Sequence, residues 1–212
     1  MKAWSNWFTD LLPQLPGCPD PQIEHELLRA SQEFFARSRA WQVIQAAVPI
    51  TANQTTLDII PTDAGQELVR VEGAWLDGTR LKVYGVGDMD HAFTDDWQTH
   101  TGATSTLVQI TPGTVLMYPI PIAASSTGLK LRLSVKPSET ATGLPDDQFV
   151  KYRDPLAAGA RARLMLQDGK KWSNPNLGAL NAAVFDAAVN AAGIAAARSF
   201  STGRIAARPK FA

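Results

Sequence analysis

The chain has 212 residues, 45% hydrophobic and 19% charged, with 14 prolines and 15 glycines. That is enough for one large core or a core with a second domain inserted, and it excludes a low-complexity chain. The formal charge is zero but divides as −1 over residues 1–51, −6 over 52–150 and +7 over 151–212, which lets opposite faces meet different partners or other copies of the chain, against the plainer reading of solvated faces.

At the start, "MKAWSNWFTDLLPQLPG" lacks an unbroken apolar run and is read as no signal peptide, and no stretch is read as long enough to span a membrane. The expectation is a soluble protein made in the cytoplasm. Trp4, Trp7, Phe8, Leu11 and Leu12 make this lead apolar. A short helix is predicted over 5–12, stopped by Pro13 and docked on the first long helix or on another chain. Cys18 is the single cysteine, which excludes an internal disulfide; between Pro16 and Pro19 it reads as a buried or half-buried thiol and not as a nucleophile.

"PDPQIEHELLRASQEFFARSRAW" predicts the first long helix, with Asp20 as cap and Pro21 at the first helical position. Ile23, Leu27, Ala30, Phe34 and Trp41 recur on one face, which Leu28 and Phe35 widen.

From residue 43 to 137 the period becomes two. "GLKLRLSVK" alternates Leu129, Leu131, Leu133 and Val135 with Lys130, Arg132, Ser134 and Lys136, a strand with one dry and one wet face. "TTLDII", "QELVRVEGAWL", "TRLKVYG", "STLVQI" and "TVLMYPI" read as further strands, and Asp77-Gly78 as a type I′ hairpin turn. Several short strands separated by turns predict an antiparallel sandwich or small barrel.

After "KPSETATGLPDD" helices return. "QFVKYRDPLAAGARARLMLQ" places Phe149, Tyr152, Leu156, Ala160 and Arg163 on one side with Pro155 inside the pattern, predicting a bent continuous helix that Asp168-Gly169 stops, Gly169 in a left-handed cap. "LQDGKKWSNPNLG" then puts Lys170, Lys171 and Trp172 on a tight loop, where the ring is either a local core anchor or a contact with a neighbouring subunit. The last helix begins at a Ser173 or Asn174 cap with Pro175 in its first turn; Leu177, Val184, Ala188, Ala191 and Ala195 are read as its packed face. Ten alanines between 178 and 198 let helix axes approach closely. The fold class is therefore α+β: an N-terminal helical part (1–42), an inserted antiparallel β-sandwich or barrel-like domain (43–137), a C-terminal helical part completing the bundle (138–198), and an extended C-terminal arm (199–212).

Little in the chain carries chemistry. His25, His91 and His100 are too scattered for a compact metal motif, and Asp88, Asp90, Asp95 and Asp96 around His91 match no calcium-loop template, which leaves a solvated loop as the preferred reading. "GVGDMD" lacks the third glycine of a dinucleotide fingerprint, and GxxxxGK, GxSxG and HExxH are absent. No catalytic, cofactor-binding or metal-ligating residue is assigned, and no enzyme is expected. The end "ARSFSTGRIAARPKFA" carries Arg198, Arg204, Arg208 and Lys210 with Phe200 and Phe211. It suits a flexible tail, an arm ordering in a protein groove, or weak salt-sensitive nucleic-acid binding by a monomer.

Four stretches taken in order, "LPGCPDPQIEHELLRASQEFFARSRAW", "VLMYPIPIAASSTGLKLRLSVKPS", "LPDDQFVKYRDPLAAGARARLMLQDGKKWSNP" and the Ala/Arg-rich end, resemble the head-to-tail adaptor (connector) proteins of short-tailed bacteriophages, of the tail tubular protein A kind. The resemblance implies a structural virion protein at the head-tail junction, made in the host cytoplasm. Twelve copies would form a ring between the portal protein and the tail nozzle protein, extend the channel through which genomic DNA passes without sequence-specific binding, and offer a platform for tail fibre or spike proteins. No cofactor and no membrane are implied. The helical part and residues 199–212 would face the portal, with Arg198 and, on the arm, Phe200, Arg204, Ile205, Arg208, Lys210 and Phe211 at the contact. Residues 43–137 would face the tail or the ring exterior. Trp172, Lys170 and Lys171 would lie near a subunit or portal contact, and Trp4, Trp7 and Phe8 would gain burial in the assembly. Pro155 departs from the helix former expected at its position.

Overall fold

The computed structural model describes residues 1–61, 63–93 and 96–198. In chain order the elements are β1 (Lys2–Ala3), α1 (Phe8–Leu11), α2 (Asp20–Ser38), β2 (Gln42–Ile50), β3 (Thr56–Asp58), β4 (Gln66–Leu76), β5 (Thr79–Gly85), α3 (Val86–Ala92), β6 (Thr101–Gly102), β7 (Thr106–Thr111), β8 (Thr114–Tyr118), β9 (Ile120–Pro121), β10 (Ser125–Pro137), β11 (Gly143–Leu144), α4 (Asp146–Met165) and α5 (Pro175–Ala197). The fold is α+β. The chain divides into two compact units: Met1–Trp41 with the described residues from Pro137 onward, and Gln42–Lys136.

The helical unit is built on α2, α4 and α5, each packed against the other two. Asp20 is not the cap of α2. Pro19 stands there in extended backbone with no side-chain capping bond, and Asp20 lies in the first turn, where its charge favours the helix N-terminus. Arg39 ends α2 in the left-handed region at φ 53°, so Trp41 is not on the helix; its ring still packs edge-on to Phe35 at 5.4 Å. Phe34 meets Tyr152 at 4.9 Å and Phe185 at 5.9 Å, so one aromatic side chain joins all three helices. Gly159 permits the α4–α5 approach: a Cβ there would lie 2.6 Å from the Phe185 ring.

Helix α4 is two helical segments joined across a kink, not the continuous bent helix expected. Tyr152 leaves helical geometry at φ −120°, ψ 16°, and Pro155 has no N–H for the carbonyl four residues earlier. Arg163, placed by period on one side with Phe149, Tyr152, Leu156 and Ala160, is half-buried and donates to the Glu33 carboxylate on α2. The stop is earlier than expected, at Met165 with Leu166 as cap; Gly169, at φ +70°, turns the following loop. Asn174 caps α5, its Oδ1 accepting from the Leu177 N–H at 3.2 Å, with Pro175 first in the helix.

In the other unit, β2, β10, β4, β5, β7, β8 and β3 form one curled seven-stranded sheet in that order. Leu129, Leu131, Leu133 and Val135 of β10 are wholly buried. Asp77 and Gly78 turn β4 into β5 with φ of 50° and 80°, the positive pair a type I′ hairpin requires. The pairing is not wholly antiparallel, because β5 and β7 run parallel. The reason is α3: the acidic run read as a loop forms a short helix with Met89 buried, and a parallel pair needs a long crossover of this kind. Met89, Trp97 and Val108 form a small core beneath it.

Candidate functional site

The apolar N-terminal segment is covered within its own unit. A 3-10 turn at Trp4–Trp7, α1 and a second 3-10 turn at Leu12–Gln14 run past the predicted stop, since Pro13 falls at the start of a turn, where no N–H is missed. Trp4 Nε1 donates to the Ala141 carbonyl at 2.8 Å, and Trp7 Nε1 to the Arg153 carbonyl at 3.0 Å. The Trp7 ring stands edge-on to Phe149 at 4.5 Å. Arg153 grips Asp10 with two bonds of 2.6 and 3.0 Å, the bidentate pairing that positions as well as attracts. Trp4 and Trp7 thus need no assembly for their burial; on this segment Phe8 is half-buried and Leu12 exposed.

Trp172 is held within the helical unit with 9% of its surface exposed. The Asn174 N–H bonds the Met165 carbonyl at 2.9 Å across the loop, and the Lys170 ammonium lies 6.0 Å from the indole centre. The indole N–H is buried without a hydrogen-bond partner. A neighbour approaching this hinge meets Lys170 and Lys171, which are exposed, before the indole. Arg198 is exposed at the end of α5; Phe200, Arg204, Ile205, Arg208, Lys210 and Phe211 lie outside the described residues.

The largest departure is on α5. Its packed face is Gly178, Asn181, Phe185, Val189, Ala192 and Ala196, not the one containing Val184 and Ala191. The opposite face bears Leu180, Val184 and Ile194, exposed by 61, 51 and 54%, with Ala187 and Ala191 exposed between them. Steps of four and three along Leu180, Val184, Ala187, Ala191 and Ile194 are those of a helix seam, and this spacing is the signal in the sequence that finds it. By length and composition α5 is also long and apolar enough to cross a membrane, contrary to the reading of the sequence.

The remaining candidates disperse. Asp88 Oδ2 accepts from the Gly85 N–H at 3.1 Å and Asp90 Oδ1 from Trp97 Nε1 at 3.0 Å, so these carboxylates brace α3. His25, His91 and His100 are exposed, and Asp95 lies outside the described residues. Among the described residues no group of three or more His, Cys, Asp or Glu side chains is placed to hold a metal ion. Cys18 is buried, and burial, then Asp20 and Glu26, push its thiol pKa up, the reverse of what a nucleophile needs.

The family model described as SU10 adaptor protein matches residues 8–208. No curated protein matches the chain.

Proposed function

Because the chain belongs to the SU10 adaptor protein family, whose members are structural phage adaptors and not a class of enzyme, we propose that it acts as a head-to-tail adaptor. Copies assemble side by side into a ring, twelve-fold by the resemblance, between the portal and the tail nozzle. The ring continues the DNA channel and carries the tail fibres or spikes.

The observation that carries this reading is the outer stripe of α5. Leu180, Val184 and Ile194 stand in water on one face of a 23-residue helix whose other face is in the core. Contiguous exposed apolar surface marks an interaction site. The alanines between them let another helix approach closely. A closed ring needs a second, different patch on each copy; Val150 on α4 and Leu12 are exposed apolar side chains of the same unit. A membrane reading of α5 is disfavoured by its packing on α2 and α4 and by Asp186, which pairs with Arg37 at 2.7 Å. In this reading residues 199–212, with Arg198, form the arm that docks on the portal. Lys170 and Lys171, beside Trp172 before the start of α5, lie near a subunit or portal contact, and the β unit faces the tail.

The test is electron microscopy and light scattering of the full chain, alone and mixed with the cognate portal protein. Rings are expected in at least one condition. Val184→Asp, at an exposed position, is expected to remove them while leaving the helical circular dichroism unchanged. A wild-type chain that stays single in both conditions, or a folded Val184→Asp variant that still forms rings, overturns the proposal.

A further inference from the structure

We propose that the outer edge of β2, with the cationic sheet face beside it, receives an extended acidic segment of a partner protein, which adds to the sheet as a strand. The site lies wholly within the β unit and does not depend on the ring.

Strand β2 is the last strand at its side of the sheet, and among the described residues no strand pairs with its far edge. Its Ile44 is 66% exposed, and Ala46 and Ala47 are exposed beside it. A strand edge with open N–H and C=O groups and apolar side chains is a template for another strand. The face that such a strand would extend has a defined character. Ile44 lies opposite Arg132 of β10, and Trp75 of β4 lies opposite Arg80 of β5, so the four share one face. The Trp75 ring leans over Gly73, where a Cβ would lie 3.0 Å from the ring and 3.8 Å from Arg132 Nε. Ile44, Trp75 and Lys130 line a hollow of about 420 Å³.

Arg132 Nε is buried and has no hydrogen-bond partner. Among the described residues no carboxylate pairs with Arg80, Lys130 or Arg132. Asp77 also lines the hollow and keeps its charge there, its Oδ1 accepting from the hydroxyls of Ser125 and Thr127, but it pairs with none of the three cations. Lys130 at an apolar hollow, with Arg132 on the strand next to β2 and Arg80 further along the same face, fits carboxylates on a chain that also carries apolar side chains, and an added strand presents such an alternation. A nucleic acid fits less well. Residues 52–150 carry a net charge of −6, and phosphate binding draws its strength from many cations acting together.

A short fluorescein-labelled peptide alternating Glu with Val, its Lys-for-Glu counterpart and a single-stranded oligonucleotide are titrated into the full chain, with amide hydrogen exchange followed. The Glu peptide is expected to bind and to slow exchange within residues 42–50. Affinity should fall about tenfold in Lys130→Gln/Arg132→Gln, each partly exposed ion pair contributing a few-fold. Ile44→Asp and Lys130→Gln alone change exposed positions, and each should weaken binding with the fold intact. Four results would overturn the proposal: no binding of the Glu peptide, equal binding of the Lys peptide, preference for the oligonucleotide, or protection confined elsewhere. Any of these in a chain that still forms rings leaves the adaptor reading standing.

Discussion

Gly159 shows how one side chain sets the spacing of two helices. The Phe185 ring occupies the space where a Cβ at 159 would be, and Ala30 of α2 closes the other side at 3.1 Å. Gly159→Val is expected to cost about 1–3 kcal/mol through overpacking, read as a lower denaturant midpoint; an unchanged midpoint would mean that the helices separate freely. Other residues were legible wherever a neighbour in sequence decides the outcome. The Asp77-Gly78 turn and the dry face of β10 follow from dihedral freedom and the two-residue period. Ser134 did not follow. Placed on the wet face by alternation, it is fully buried, its hydroxyl donating to Glu72 Oε1 at 2.6 Å. Glu72 is on another strand, and alternation says nothing about partners.

At the scale of elements, α5 is the instructive failure. Nearly every side chain on it is small or apolar, so a helical period exists on two opposite faces and neither dominates. What chose between them is Phe185, which fits against Phe34 and into the space left by Gly159. The N-terminal segment left a choice that the sequence could not make: its tryptophans could dock within the chain or on another copy, and the Trp7 indole bonds the Arg153 carbonyl of α4. Trp7→Ala is therefore expected to cost about 3–5 kcal/mol and to expose the segment to limited proteolysis near Leu12. A variant as stable and as resistant as wild type would show that the segment is docked by Arg153 and Asp10 alone.

At the scale of the molecule, two forces compete to explain assembly. Opposite charge between the acidic middle and the basic end is weakened by salt, whereas contact through the α5 stripe is apolar and is not screened. Rings built on Leu180, Val184 and Ile194 are expected to survive transfer to about 0.5 M salt, where exposed charges interact only over a few ångströms. Dissolution of the rings there, measured by sedimentation, would assign them to charge. The family places the chain at a head-tail junction, where it belongs to a larger assembly, and an uncovered apolar helix face is consistent with that setting.

By itself, the sequence determined the α+β class, the long helices, a bend in α4 near Pro155, a cap at Ser173 or Asn174 and most of the strands, because period, turn residues and proline act over a few neighbouring positions. Only the tertiary structure decided that Trp4 and Trp7 turn inward, that β5 and β7 run parallel, and which face of α5 meets water. Each of these depends on groups far apart in sequence that compete for the same space, and no local pattern records which of them wins.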